Sequence, residues 1–269
     1  MSCRTKEILE NIYHRGQEKI WDGRAVLESL IDKHGGIKEL TEDEARALRN
    51  IFGVILKGES AAWKISLQLA EQLVDTEAKM AATSQAHDEA RHFYVMRDYL
   101  DLIGYVSCEV PRPVEQALEM VASTDNLAKK LLGMQLMVEP IALTIFQEIR
   151  RVSPEPVLSD LLEYFEKDEA RHVALGVYHL PEVVRGLNPF QILSLITWQL
   201  RLFMLELHGL KELRVDFEAL GLNVEDVFEM AERKQLEALQ EFVQHLGVNP
   251  RVWDPLRHFV RYRKSRVLR

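Results

Sequence analysis

Asp88-Glu89-Ala90-Arg91-His92 and Asp168-Glu169-Ala170-Arg171-His172 are one pentapeptide written twice, 80 residues apart. In each copy Glu and His are three residues apart, which on an α-helix sets them on one face. Glu59 stands 30 residues before Glu89, and Glu139 stands 30 before Glu169. The midpoints of these intervals, residues 74 and 154, coincide with turn signals at Val74-Asp75 and Ser153-Pro154. Folding each interval there brings its two glutamates to one level of an antiparallel helical hairpin, with roughly 22 Å of helix in each arm. Two such hairpins, packed as a four-helix bundle, bring four glutamates and two histidines together inside it.

The rest of the chain supplies the helices. Apolar residues recur at three- and four-residue spacing, no alternating strand pattern of useful length is present, and the 13 Gly and 9 Pro are clustered. Residues 5–33 read as an N-terminal accessory hairpin, interrupted at Asp22-Gly23 and closed by Gly35-Gly36. Thr41 with Glu44 is a capping box that opens a helical run to Val74. A second run starts at Asp75 or Thr76 and ends near Ile103, before Gly104 and the Pro111/Pro113 pair. A short helix covers about 113–122, and Ser123-Thr124-Asp125 then cap a long helix reaching Arg151. Ser153-Pro154 reads as a cap with proline at the first helical position, starting a helix to about His179, before Pro181. Asn188-Pro189 repeats that signal for an apolar helix through Leu205, and residues 223–246 form another. With no linker separating folded units, the expectation is one all-α domain over 1–269. Its metal-binding core covers about 41–180, with accessory helices at 5–33 and 189–269.

Composition narrows the function. The 269 residues, 47% of them apolar, suffice for a large core. Against 34 Lys and Arg stand 42 Asp and Glu, a net charge of −8 that argues against whole-surface attraction to nucleic acid. Cys3 and Cys108 form no Cys-x-x-Cys pair, so neither a disulfide framework nor a cysteine zinc site is expected, and a reducing, cytoplasmic setting fits. No stretch approaches the roughly 18 uninterrupted apolar residues of a membrane span, and Met1 to Lys6 lacks a signal-peptide core. Residues 257–269 contrast with the acidic remainder: five Arg and one Lys, no acid, interleaved with Phe259, Val260, Tyr262 and Val267. Such a segment suits a solvated tail, or docking to an acidic protein, a carrier or RNA.

Energetics decide what the central cluster is for. Four carboxylates in an apolar core repel one another, and each carries a desolvation cost of several kcal/mol. Two divalent cations balance Glu59, Glu89, Glu139 and Glu169, and neutral His92 and His172 give each metal one nitrogen. Iron, or manganese with iron, commonly fills such a site; zinc favours fewer carboxylates and calcium does not favour imidazole.

The constellation resembles that of ferritin-like di-iron carboxylate proteins, with one Glu plus a Glu-x-x-His in each half, over about Thr41 to His179. The doubled Asp-Glu-x-Arg-His is similar to the oxygen-activating branch, notably bacterial multicomponent monooxygenase hydroxylases and ribonucleotide reductase small subunit-like proteins. The resemblance implies a ferritin-like four-helix bundle with additional N- and C-terminal helices. It implies two iron ions or an Mn/Fe pair, O2 as co-substrate, and oxidase or monooxygenase activity on an unidentified, apolar small molecule. It also implies that Glu89 and Glu169 bridge the metals, that Asp88 orients His172 and Asp168 orients His92, and that Arg91 and Arg171 hold those carboxylates. With no flavin, nicotinamide or iron–sulfur motif visible, electrons are expected from a separate reductase or ferredoxin. Two alternatives stand beside this: a metal-storage or non-catalytic scaffold protein, and an RNA-modifying di-iron hydroxylase that would use the basic segment.

Several positions refine the comparison. Ribonucleotide reductase small subunits usually begin the ligand set with Asp and place a radical-forming Tyr where this chain has Met96; Tyr94 lies about 140° round the helix from Glu89 and should face away. Monooxygenase hydroxylases carry Thr four residues after the Glu that matches Glu139; here it is Leu143, which should make the cavity more apolar. Thr144 is expected to bond the Pro140 carbonyl, and Pro140, which cannot donate to Leu136, should kink or open its helix beside the metals. By spacing, Trp63, Ser66 and Gln135 face the cavity or the core. His179 is read as core and His87 as structural. The surplus apolar surface of 190–205 fits closure of the bundle, a substrate pocket or a homodimer interface.

Overall fold

The computed structural model describes residues 1–245, so the basic segment 257–269 lies outside the described residues. Those residues form eleven α-helices and one π-helical turn. The bundle consists of two hairpins. The first is α3 (Glu42–Gln72) with α4 (Thr76–Leu102); the second is α7 (Glu139–Val152) with α8 (Pro156–Val184). Around them lie α1 (Cys3–Glu18), α2 (Gly23–His34), α5 (Arg112–Ala122) and α6 (Leu127–Gly133), followed later by α9 (Pro189–Glu212), α10 (Arg214–Ala219) and α11 (Val224–His245).

Each bundle helix forms because a buried stripe recurs at three and four residues. In α3 it is Leu48, Ile51, Phe52, Ile55, Glu59, Ala62, Ile65, Ser66 and Leu69. The glutamate falls inside the apolar stripe, so folding the helix into the bundle carries its carboxylate into the core. The capping box is present: Thr41 Oγ1 accepts from Glu44 N while the Thr41 N–H donates to the Glu44 carboxylate. Helices α1 and α2 pack on α4 and α8, α9 on α5 and α6, and α11 on α7 and α8. By length and composition alone α9 would cross a membrane, but Arg201 and Glu206 interrupt its apolar run. Its first turns leave Phe190 and Leu193 exposed.

Four boundaries differ from expectation. Ser153 does not start α8; it ends α7 in the left-handed region at φ 45°. The N-cap of α8 is the buried Glu155, whose carboxylate accepts from the N–H groups of Val157 and Leu158, so Pro156 and not Pro154 occupies the first turn. Helix α8 runs through Pro181 to Val184. The helix expected from residue 126 to Arg151 starts instead behind Asn126, whose side chain accepts from Lys129 N, and is divided by a π-helical turn at Met134–Val138.

Candidate metal centre

The π-helical turn reaches its end at the Glu139-Pro140 step. Proline cannot return a hydrogen bond to Leu136, and the backbone absorbs the defect by a wider turn in which Glu139 N–H bonds the Met134 carbonyl, five residues back. The expected kink is therefore a π-bulge, and it carries Gln135 and Glu139 to the bundle centre. Thr144 Oγ1 donates to the Pro140 carbonyl at 2.7 Å, as expected.

All six spaced residues converge. Ligand atoms of Glu59, Glu89, His92 and Glu169 lie within 4.8 Å of one another, as do those of Glu89, Glu139, Glu169 and His172. Glu89 and Glu169 belong to both sets. His92 Nδ1 is 3.4 Å from Glu59, 3.6 Å from Glu89 and 3.4 Å from Glu169. His172 Nδ1 is 3.2 Å from Glu89, 3.8 Å from Glu139 and 3.1 Å from Glu169. Both imidazoles present Nδ1 to the carboxylates, which leaves Nε2 for the outside: His92 Nε2 meets Asp168 at 3.2 Å and His172 Nε2 meets Asp88 at 3.4 Å. Arg91 binds Asp88 at 2.5 Å and Asp168 at 2.8 Å, and Arg171 binds the same pair at 2.9 and 2.7 Å. This ring of two acids and two guanidinium groups is neutral overall and orients both imidazoles with Nδ1 toward the cluster.

The donor set fits a pair of cations. Buried His92 Nδ1 and Glu89 Oε2 have no hydrogen-bond partner, a state that costs about 1–3 kcal/mol per group unless something binds them. Burial pushes Glu59 up to about 8, and burial with the charges of Glu169 and Glu89 holds Glu139 well above the usual carboxylate range. Burial opposes charge on His172, but the carboxylates of Glu89 and Glu169 outweigh it and raise the imidazole to about 10. Two cations bound here would offset the buried negative charge that drives these shifts.

Some neighbours escaped the sequence reading. Gln85 Nε2 donates to Glu89 at 3.0 Å and to Glu139 at 2.9 Å, and its oxygen accepts from Gln135. The equivalent position in the second half is Phe165, which stacks on His92 at 4.2 Å. The halves therefore differ: an amide chain borders the His172 side and an aromatic ring the His92 side. Trp21, on the loop before α2, donates its indole N–H to Asp168 at 2.9 Å and lies 4.7 Å under Arg91. Gln85 and Phe165 each stand four residues before a candidate ligand, a spacing that could have flagged them; Trp21 left no local signal.

Other expectations resolve differently. Trp63 is exposed and packs on Phe93, so it is neither core nor cavity wall. Ser66 and Gln135 are buried. His179 is buried beside Asp75, away from the cluster, and His87 is exposed next to Arg91. Tyr94 turns away, its hydroxyl accepting from Gly23 N. Leu143 does not line the cavity; Ile141, Ala142 and Ile145 do. That cavity, about 110 Å³, is an apolar chamber whose wall includes Glu59, Glu89 and Glu139 and extends to α5 and α9.

No family model matches the sequence, and no curated protein matches it. Solved structures do match. A variant of R2-like ligand-binding oxidase with an anaerobically reconstituted Mn/Fe cofactor aligns over 90% of this chain and 93% of its own, at TM-score 0.71 and 14% identity. Another variant of that oxidase, with an Fe/Fe cofactor, aligns over the same shares at TM-score 0.70 and 14% identity. A Synechococcus protein with aldehyde deformylating oxidase activity aligns over 75% of this chain and 92% of its own, at TM-score 0.64 and 18% identity. At these identities the likeness is one of architecture, and it joins the buried carboxylate–histidine cluster in a single conclusion: the chain has the ferritin-like fold and, at its centre, a cluster able to bind two metal ions.

Proposed function

We propose that this protein is a dinuclear-metal oxidase that uses O2 to oxidise a small, largely apolar molecule held in the chamber beside Glu59, Glu89 and Glu139. The observation that carries the reading is that two four-membered ligand sets share Glu89 and Glu169 and also border an apolar cavity. The solved structures of similar shape, whose names describe oxidases with Mn/Fe or Fe/Fe cofactors, support it.

In this account Glu59, Glu89, His92, Glu139, Glu169 and His172 would hold the two metals, Glu89 and Glu169 belonging to both four-membered sets. Bound there, two irons, or manganese with iron, would supply the electrons and Lewis acidity that O2 reduction requires. The chain's own part is placement. Asp88 and Asp168 keep the imidazoles facing inward, Arg91 and Arg171 neutralise those acids, and Gln85 steadies Glu89 and Glu139. The aliphatic wall lowers the polarity around the cluster, which strengthens the field there. Electrons for repeated turnover come from a separate reductase or ferredoxin.

The test is a single turnover. Protein loaded anaerobically with Fe(II) is mixed with O2 and a small hydrocarbon-rich compound, and oxygen consumption, iron oxidation and organic product are followed together. Consumption coupled to an oxidised organic product supports the reading. Accumulation of many ferric ions per chain with no organic product contradicts it and assigns the protein to metal storage.

A further inference from the structure

Glu206 lies on α9, 34 residues after the second pentapeptide and outside every motif in the sequence. It is 8% exposed and lines the chamber together with Glu59, Glu89 and Glu139. Among the described residues of the wall, those four are the polar ones; the others are aliphatic residues, Met134 and glycines. Glu206 belongs to neither metal-binding set.

Its two oxygens have different surroundings. Oε2 accepts from Gln235 Nε2 on α11 at 3.0 Å, and the same amide donates to the Met137 carbonyl in the π-helical turn at 2.9 Å. That arrangement ties α9 and α11 to the π-turn, and it accounts for one oxygen only. Oε1 is buried and has no partner. An unsatisfied oxygen in an otherwise apolar wall is costly, so a purely structural role would favour a residue without it. Burial pushes this carboxyl up to about 8, so at neutral pH it keeps its proton and can donate as well as accept.

We infer that Glu206 is the specificity-determining residue of the chamber: it hydrogen-bonds the one uncharged polar group (a hydroxyl, carbonyl or amide) of an otherwise apolar substrate and turns the apolar part toward Glu59, Glu89 and Glu139. An uncharged group is required because a charged one would have no counter-ion in that wall. The end of the molecule presented for oxidation is then the one remote from its polar group. This rests on the reading of the chamber as the substrate site.

The test compares butanol with pentane, which has the same number of heavy atoms, by ligand-observed NMR on metal-loaded wild-type, Glu206→Met and Glu206→Gln proteins. Glu206→Met should weaken butanol relative to pentane by about tenfold, the worth of one buried hydrogen bond. Glu206→Gln, which keeps an oxygen for Gln235 and an N–H for the ligand, should hold the ratio within about threefold of wild type. Metal content should be the same in all three. An unchanged ratio in Glu206→Met, with both probes bound, overturns the inference and leaves the chamber as substrate site. Failure of wild type to bind either probe overturns both. Independently of any substitution, crystals of the unaltered protein soaked with a bromobutanol, its halogen at the end away from the hydroxyl, should show anomalous signal beside Glu139; bromine beside Glu206 contradicts the assignment.

Discussion

At the scale of single residues, the ring of Asp88, Asp168, Arg91 and Arg171 carries as much of the account as the candidate ligands. Each arginine binds both acids, so removing one acid strands positive charge in the core. Asp88→Asn should destabilise the fold by about 3 kcal/mol in denaturant titrations and weaken metal binding by about 10- to 100-fold; wild-type values for both would remove its orienting role. Glu206 gives a pH-dependent prediction. It holds its proton more tightly in the fold than in the unfolded chain, so between its ordinary value of 4.5 and about 8 the folded state carries the extra proton. Its contribution is therefore full at low pH and is lost as pH rises through that window. Glu206→Gln has no such proton, so its stability relative to wild type should improve by about 2 kcal/mol from about pH 5.5 to about pH 7.5; a constant difference would show that the carboxyl is not held neutral. The spacing of Glu and His, and the Asp and Arg inside the pentapeptides, were legible because helical periodicity acts within a few residues. Trp21, Glu206 and Gln235 were not, because their contacts cross 147, 29 and 98 residues of chain.

Helices were legible where a side chain caps its own turn, as at Thr41 and Asn188. They were misplaced where tertiary contacts choose between nearby signals. Ser153-Pro154 carries a good local start, yet Glu155 wins because Tyr99 and the backbone of Lys38 also bind its carboxylate. Trp63, at a favourable angle from Glu59, ends up outside because the buried stripe of α3 continues through Ala62, Ser66 and Leu69 and leaves it on the flank. Leu143 fails likewise: the chamber lies on the flank of α7 reached by Ala142 and Ile145, three and six residues after Glu139. The π-turn itself depends on how closely α8 can approach, and a glycine sets that distance. A Cβ on Gly176 would overlap the Cβ of Gln135 and crowd Leu136 at 3.1 Å. Gly176→Ala should therefore cost about 2 kcal/mol and loosen the Gln135–Gln85 link to Glu89 and Glu139. Thermal unfolding measures the first effect, and a wild-type melting temperature would contradict the close packing.

For the whole molecule, two copies of a short motif and two equal intervals were enough to specify a bundle and the level at which its acids meet. The chamber required α5 and α9, whose place against the bundle follows from packing between distant elements and leaves no period in the sequence. Everything functional here depends on that central cluster binding a pair of ions. The decisive measurement is metal content and affinity after anaerobic titration with Fe(II) or Mn(II). Wild type should bind two ions per chain, and Glu89→Ala, which removes a carboxylate common to both ligand sets, should lose that stoichiometric pair. A wild-type chain that binds none, or a Glu89→Ala chain that still binds two with unchanged affinity, would contradict the dinuclear centre.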